Sequence, residues 1–151
     1  MKYIEFYDEN SIENLCACLM MLPEEVIMVG DNAASMKRHI ENCKKMFASR
    51  GQKIEFSYKT VSRWNTDQVL QVLEKILQDT QDCVFGITGG DEMSMFALGI
   101  LCERHKEKNI QVHRISVQNN TVYDCDMDGI KIEKGSPKLS VAENVRIYGG
   151  T

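Results

Sequence analysis

Four carboxylates and one glycine pair are the residues of this chain best placed for chemistry. Asp8, Asp31, Asp91 and Glu92 each stand just after a short apolar run that reads as a β-strand. Carboxylates gathered at the carboxyl ends of strands can hold Mg²⁺ or Mn²⁺ for phosphoryl or phosphodiester chemistry. Asp is also a strong helix cap, and capping alone accounts for Asp8, Asp31 and Asp91 taken singly. The glycine pair lies in Thr88-Gly89-Gly90, between the apolar run Cys83–Ile87 and a segment that reads as a helix from its first residue. Glycines let a ligand come close to the backbone, and the first helical turn presents N–H groups without an intrahelical acceptor. A strand, a glycine turn and a helix in that order form the unit with which α/β proteins hold phosphates. At Gly90 the backbone is expected to need either close ligand approach or a positive φ. The same turn can instead serve only to pack strand against helix.

The elements that must position these residues repeat one pattern. Lys2–Tyr7 alternates as a strand, and a helix follows through Ile12, Leu15, Cys16, Leu19 and Met20 up to Pro23. Glu25–Val29 is a β-branched strand ending at Gly30-Asp31-Asn32. A helix from about Ala33 to Arg50 carries Met36, Ile40, Cys43 and Phe47 on one stripe, and Gly51 stops it. Lys53–Tyr58 is a third strand, and Thr66 is expected to cap a helix with the stripe Val69, Leu70, Leu73, Ile76 and Leu77. The helix after Gly90 is expected to bury Met93, Phe96, Ala97, Ile100 and Leu101. Ile110–Val117 is a fifth strand, with hairpins at Asn119-Asn120 into Thr121–Cys125 and at Asp128-Gly129 into Ile130–Glu133.

Strands alternating with helices imply right-handed crossovers and a parallel sheet covered on both faces. The expected class is α/β: a Rossmann-like three-layer domain, mainly parallel, with a small antiparallel C-terminal extension. In such folds ligands sit beyond the carboxyl ends of the strands, where the winding reverses. That rule selects three loops. They are Asp8, Glu9, Asn10 and Ser11; Gly30, Asp31 and Asn32; and Thr88, Gly89, Gly90, Asp91, Glu92 and Met93.

Composition bounds the function. The chain of 151 residues is 43% apolar, enough for a core without disulfides or metal. A net charge of −4 gives no broad basic surface for long duplex nucleic acid, while a small nucleotide stays open. No apolar run reaches the length of a membrane span, and the cytosol is the expected compartment. Six cysteines include no Cys-x-x-Cys, and they read as reduced thiols, with Cys16, Cys43, Cys83 and Cys102 on apolar stripes. His39, His105 and His113 are scattered over different elements, so no nucleophile–base pair is assigned. The ending Gly149-Gly150-Thr151 reads as an opened linker, so 1–135 are expected to form one domain and 136–151 a short helix and linker toward a further domain.

The segment Phe6 to Leu15, the Thr88-Gly89-Gly90 turn with its Met-rich helix, and the closing stretch from Leu139 to Gly150 resemble one family. It is the CARF–nuclease fusion family of type III CRISPR systems, where CARF denotes the CRISPR-associated Rossmann fold. The resemblance implies a homodimeric sensor that binds a cyclic oligoadenylate across its interface and regulates a nuclease domain further along. It implies no cofactor and no catalytic residue in this segment. The family turn continues with Thr or Ser and then Lys; here Asp91 and Glu92 take those places. Carboxylates suit a helix N-terminus but repel phosphate. Arg63, Lys59 or Arg114 could restore positive potential. The reading from a different class is a metal-dependent phosphodiesterase built on Asp8, Asp31, Asp91 and Glu92.

Overall fold

A computed structural model describes residues 1–9, 15, 18, 20–116, 121–125, 131, 132, 142 and 143. The strands are β1 (Lys2–Phe6), β2 (Glu25–Gly30), β3 (Glu55–Thr60), β4 (Cys83–Gly86), β5 (Gln111–Ser116), β6 (Thr121–Asp124) and β7 (Lys131–Ile132). Helices α1, α2 and α3 span Ala33–Ser49, Thr66–Asp79 and Glu92–Arg104. Leu15, Cys18, Met20 and Met21 are helical as well, and the rest of that expected first helix lies outside the described residues.

One sheet runs β3-β2-β1-β4-β5-β6-β7 among the described residues. The first five strands are parallel neighbours, and β6 and β7 are antiparallel additions. This is the expected α/β Rossmann-like fold with its antiparallel extension. The hairpin turns themselves, at Asn119-Asn120 and Asp128-Gly129, lie outside the described residues. The chain winds outward from β1 to β3 and then returns to place β4 on the other side of β1. That reversal opens a crevice beyond the carboxyl ends of β1 and β4.

The layers follow from alternation along the strands. Tyr3, Val26, Met28 and Val84 pack with Met36, Ile40, Cys43, Met46 and Phe47 of α1. Ile4, Phe6, Ile27, Val29 and Phe85 pack with Val69, Leu73, Ile76 and Leu77 of α2 and Ala97, Leu98 and Leu101 of α3. Full burial of each large apolar side chain contributes about 1.5–3 kcal/mol. Burial also pushes up the pKa of the Tyr3 hydroxyl and the Cys43, Cys83 and Cys102 thiols, so these groups stay protonated. Cys18, Cys43, Cys83, Cys102 and Cys125 are free thiols, as expected for a reduced chain. Cys16 lies outside the described residues.

Several local expectations shift. The third strand begins at Glu55 rather than Lys53. The cap of α2 is Asn65, not Thr66: Asn65 Oδ1 accepts the Gln68 N–H at 3.1 Å. Gln68 Oε1 in turn accepts the Ser62 N–H at 2.6 Å, so side-chain bonds from both residues fix this helix start. In α3 the buried residues are Ser94, Ala97, Leu98 and Leu101, and Phe96 is 62% exposed. Apolar residues lie all round α3, so periodicity alone leaves its rotation open. Its cap and its packing on α2 set the rotation away from the expected stripe. Ala142 and Glu143 are helical, and Arg50 Nε donates to Glu143 Oε2 at 2.5 Å. The remainder of 136–151, including the expected Ser140 cap, lies outside the described residues.

Candidate functional site

A cleft of about 660 Å³ lies beyond the carboxyl ends of β1, β2, β3 and β4. Its walls come from Tyr7, Asp8 and Glu9 after β1; Gly30, Asp31, Asn32 and Ala33 at and after the end of β2; Val61 and Arg63 after β3; and Gly90, Asp91 and Ser94 after β4. Four segments remote in sequence therefore meet at the reversal of winding.

Each wall is held by the backbone behind it. The Tyr7 N–H donates to Val29 O and the Val61 N–H to Gly30 O, both at 2.8 Å, which carries the ladders past the strand ends. Ser35 Oγ donates to Glu9 Oε1 at 3.3 Å and lies 2.6 Å from the Tyr7 hydroxyl, so the tyrosine is the donor to the serine. This chain of two bonds ties the β1 loop to the first turn of α1. The Tyr7 ring also stands 5.6 Å from the ring of His39 at a tilt of 55°. Burial lowers the pKa of His39.

Two helix N-termini open on the cleft. At α1 the cap is Asn32 rather than Asp31: Asn32 Oδ1 accepts the Ser35 N–H at 3.0 Å. The first turn of α1 carries no acid, and its N–H groups at Ala33 and Ala34 have no intrahelical acceptor. At α3, Asp91 Oδ1 accepts the Ser94 N–H at 2.8 Å, and Glu92 adds a second carboxylate in the first turn. Of the two termini, that of α1 is the one whose own first turn carries no acid, although Asp31 precedes its cap and Glu9 accepts from Ser35 within it.

The glycine turn divides into separate roles. Thr88 Oγ1 accepts the Ile115 N–H at 2.9 Å, so this side chain ties β4 to β5. Gly89 is buried. Gly90 has φ +103°, and a Cβ there would stand 2.6 Å from the Cβ of Phe6. Both the backbone angle and the neighbouring core residue demand a glycine with no ligand present. Thr88, Gly89, Glu92 and Met93 stand outside the cleft wall, whereas Asp8, Glu9, Gly30, Asp31, Asn32, Arg63, Gly90 and Asp91 form it. Asn10 and Ser11 lie outside the described residues. Tyr7, Val29, Ala33, Val61 and Ser94 complete the wall, and nothing in the sequence singles out Tyr7 or Ser94. Tyr7 reads there as the last strand residue, and Ser94 as a helix position among methionines.

Charge in the cleft is unbalanced. Asp8, Glu9, Asp31 and Asp91 face Arg63, the one cationic side chain lining it among the described residues. Arg63 Nε lies 3.2 Å from Asp31 Oδ2, with both side chains about half exposed. Lys59 lines a different cavity, with Lys2 and Lys75, and Arg114 is exposed on β5. Among the described residues, no three His, Cys, Asp or Glu side chains stand together as a metal site. The carboxylates expected of a metal-dependent phosphodiesterase are thus not gathered into one. No described helix is long and apolar enough to cross a membrane.

No family model matches the chain, and no curated protein matches it. Solved structures do. The structure of Can2 from Sulfobacillus thermosulfidooxidans in complex with cyclic tetra-adenylate aligns with a TM-score of 0.80 at 17% identity, covering 98% of this chain and 41% of that one. Protein VC1899 from Vibrio cholerae aligns with a TM-score of 0.77 at 10% identity, covering 98% of this chain and 39% of that one. A type III CRISPR defence DNA nuclease activated by cyclic oligoadenylate aligns with a TM-score of 0.61 at 16% identity, covering 97% of this chain and 23% of that one. The shared feature is the fold, and it is the Rossmann-like fold that the resemblance to CARF domains implies. The chain spans less than half the length of each of these proteins.

Proposed function

We propose that this chain is a CARF-like sensing domain that binds a cyclic oligoadenylate, or a related small nucleotide, in the cleft beyond β1–β4. One observation carries the reading. The cleft lies at the reversal of winding and is walled by the N-terminus of α1, whose own first turn carries no acid, in a fold shared with a protein solved in complex with cyclic tetra-adenylate. The α1 terminus offers N–H donors and dipole charge to a phosphate. Arg63 supplies the full positive charge once it leaves Asp31. The work of the domain is recognition, and in this reading a nuclease beyond residues 136–151 is what the ligand regulates.

The domain acts as a homodimer in this proposal, with two clefts sharing one ligand. Support comes from α3, which runs from the cleft with Phe96 exposed and with open space beside Gly99. An aromatic side chain left in water on the helix that starts at the cleft suits a subunit contact.

Calorimetry with cyclic tetra-adenylate, and separately with Mn²⁺, tests the reading, together with the mass in solution by light scattering. Saturable binding of the nucleotide by a species of twice the chain mass is expected. Mn²⁺ binding without nucleotide binding would replace the sensor with the metal-dependent enzyme. A monomer that binds neither would remove both.

A further inference from the structure

We infer that the indole of Trp64 is a stacking platform for an adenine base of the ligand, an inference that rests on the nucleotide reading above. Trp64 is the single tryptophan of the chain and is 81% exposed. Tyr3, Phe6, Phe47 and Phe85 are fully buried, whereas Trp64 and Phe96 stand in water, and of these two Trp64 is the more exposed and is the chain neighbour of a cleft-lining residue.

The ring stands beside the cleft wall rather than in it. Its neighbour Arg63 lines the cleft, and the Arg63 guanidinium carbon lies 5.3 Å from the indole centroid. Arg63 is paired with Asp31 at 3.2 Å, a contact that its move toward a phosphate breaks. The turn beneath is closed by the Asn65 N–H donating to Ser62 O at 3.0 Å, and Asn65 caps α2. The backbone that carries the indole is thus ordered before binding, which limits the freedom lost when a base settles on the ring.

The charge of the cleft selects the part of a nucleotide that this rim takes. Asp8, Glu9, Asp31 and Asp91 oppose phosphates but accept hydrogen bonds from N–H donors. The exocyclic amino group of adenine is such a donor. A π face is uncharged, so stacking on the indole gains affinity that carboxylates do not cancel, and flat Arg–aromatic pairs are suited to it. The base therefore lies at the Trp64 rim and the phosphates toward the N-terminus of α1.

The single tryptophan makes the test direct. Cyclic tetra-adenylate is titrated into the full chain, with indole emission and heat followed in parallel. Saturable quenching is expected, with the same midpoint as the heat. Trp64→Phe keeps affinity within about three-fold, and Trp64→Ala loses about ten-fold or more, the scale of base–aromatic stacking. Heat without a change in emission, or unaltered affinity in Trp64→Ala, overturns the stacking role and leaves nucleotide binding standing. No heat from the wild type removes both. A lower solution mass for Trp64→Ala makes the ring a subunit contact and also overturns the inference.

Discussion

Arg63 Nε lies 3.2 Å from Asp31 Oδ2 across two loops that follow different strands. The one cation lining the cleft wall among the described residues is thus already engaged by one of the wall's own acids, and any anionic ligand must compete for it. Both groups are about half exposed, so the pair itself contributes at most about 1 kcal/mol to stability.

Asp31→Asn removes a repulsive charge and frees Arg63 in one step. Affinity for cyclic tetra-adenylate is expected to rise about three- to ten-fold, while stability changes by less than about 1 kcal/mol. Arg63→Gln is expected to weaken binding by a similar factor. Calorimetry of both variants checks the pair. Weaker binding by Asp31→Asn would mean that this carboxylate contacts the ligand as an acceptor.

Gly90 makes the opposite kind of prediction, one of stability. At φ +103°, with the Phe6 Cβ 2.6 Å from where its own Cβ would stand, an alanine strains the backbone and pushes into the core. Gly90→Ala is expected to cost about 2–4 kcal/mol, and Gly90→Val more. The sequence leaves close ligand approach or a positive φ as the reason for a glycine here, and the positive φ with the packing against Phe6 puts the expected cost in stability. Calorimetric melting decides it, and an unchanged Tm would return the glycine to a purely ligand-facing role.

What the sequence discloses divides along physical lines. Strand–helix alternation is a local signal, so the layers, the parallel sheet and the antiparallel extension are legible from it. The loops of the cleft follow from the rule of strand ends, which finds Asp8, Gly30 and Asp91. Which residue of a loop faces the cleft is decided by tertiary contacts. Asn32 takes the cap that Asp31 could have taken, and Thr88 turns to the Ile115 N–H instead of toward a ligand. The rotation of α3 is equally hidden, because a helix with apolar residues on every side carries no periodic mark of its buried face. The Tyr7–Ser35–Glu9 bonding joins positions far apart in sequence, and no spacing announces it.

His39 sets a pH dependence. Burial lowers its pKa below the ordinary 6.5, so the folded chain holds the ring neutral. The unfolded chain then binds more protons in this range. Stability is full above about pH 6.5 and falls as the pH drops toward the lowered folded value. Two neighbours of the ring are uncharged: the Tyr7 ring and the protonated Cys43 thiol, whose Sγ is 3.5 Å from Nε2. His39→Gln is expected to flatten the Tm profile between about pH 7 and pH 5. An identical slope in the variant would assign the acid sensitivity to other groups.

Asp91 joins two opposed effects in one side chain. Its Oδ1 caps α3 through the Ser94 N–H at 2.8 Å, and its charge faces the cleft. Asn preserves the accepting oxygen and is as good a cap as Asp, so Asp91→Asn should cost only about a few tenths of a kcal/mol through the lost dipole interaction. Alanine removes oxygen and charge together, and Asp91→Ala should cost about 1 kcal/mol. For a phosphate-rich ligand both variants lose the same repulsion. Two charges about 6 Å apart at an effective dielectric near 20 interact by roughly 3 kcal/mol, and screening at this open site reduces that to about 1. Affinity for cyclic tetra-adenylate is therefore expected to rise about five-fold in both, with Asp91→Asn the more stable protein. A metal-dependent enzyme requires the reverse, because either change removes a ligand and weakens Mn²⁺ binding. Paired titrations with the nucleotide and with Mn²⁺ separate the two. Stability falling in Asp91→Ala with neither affinity altered would leave Asp91 as a helix cap alone.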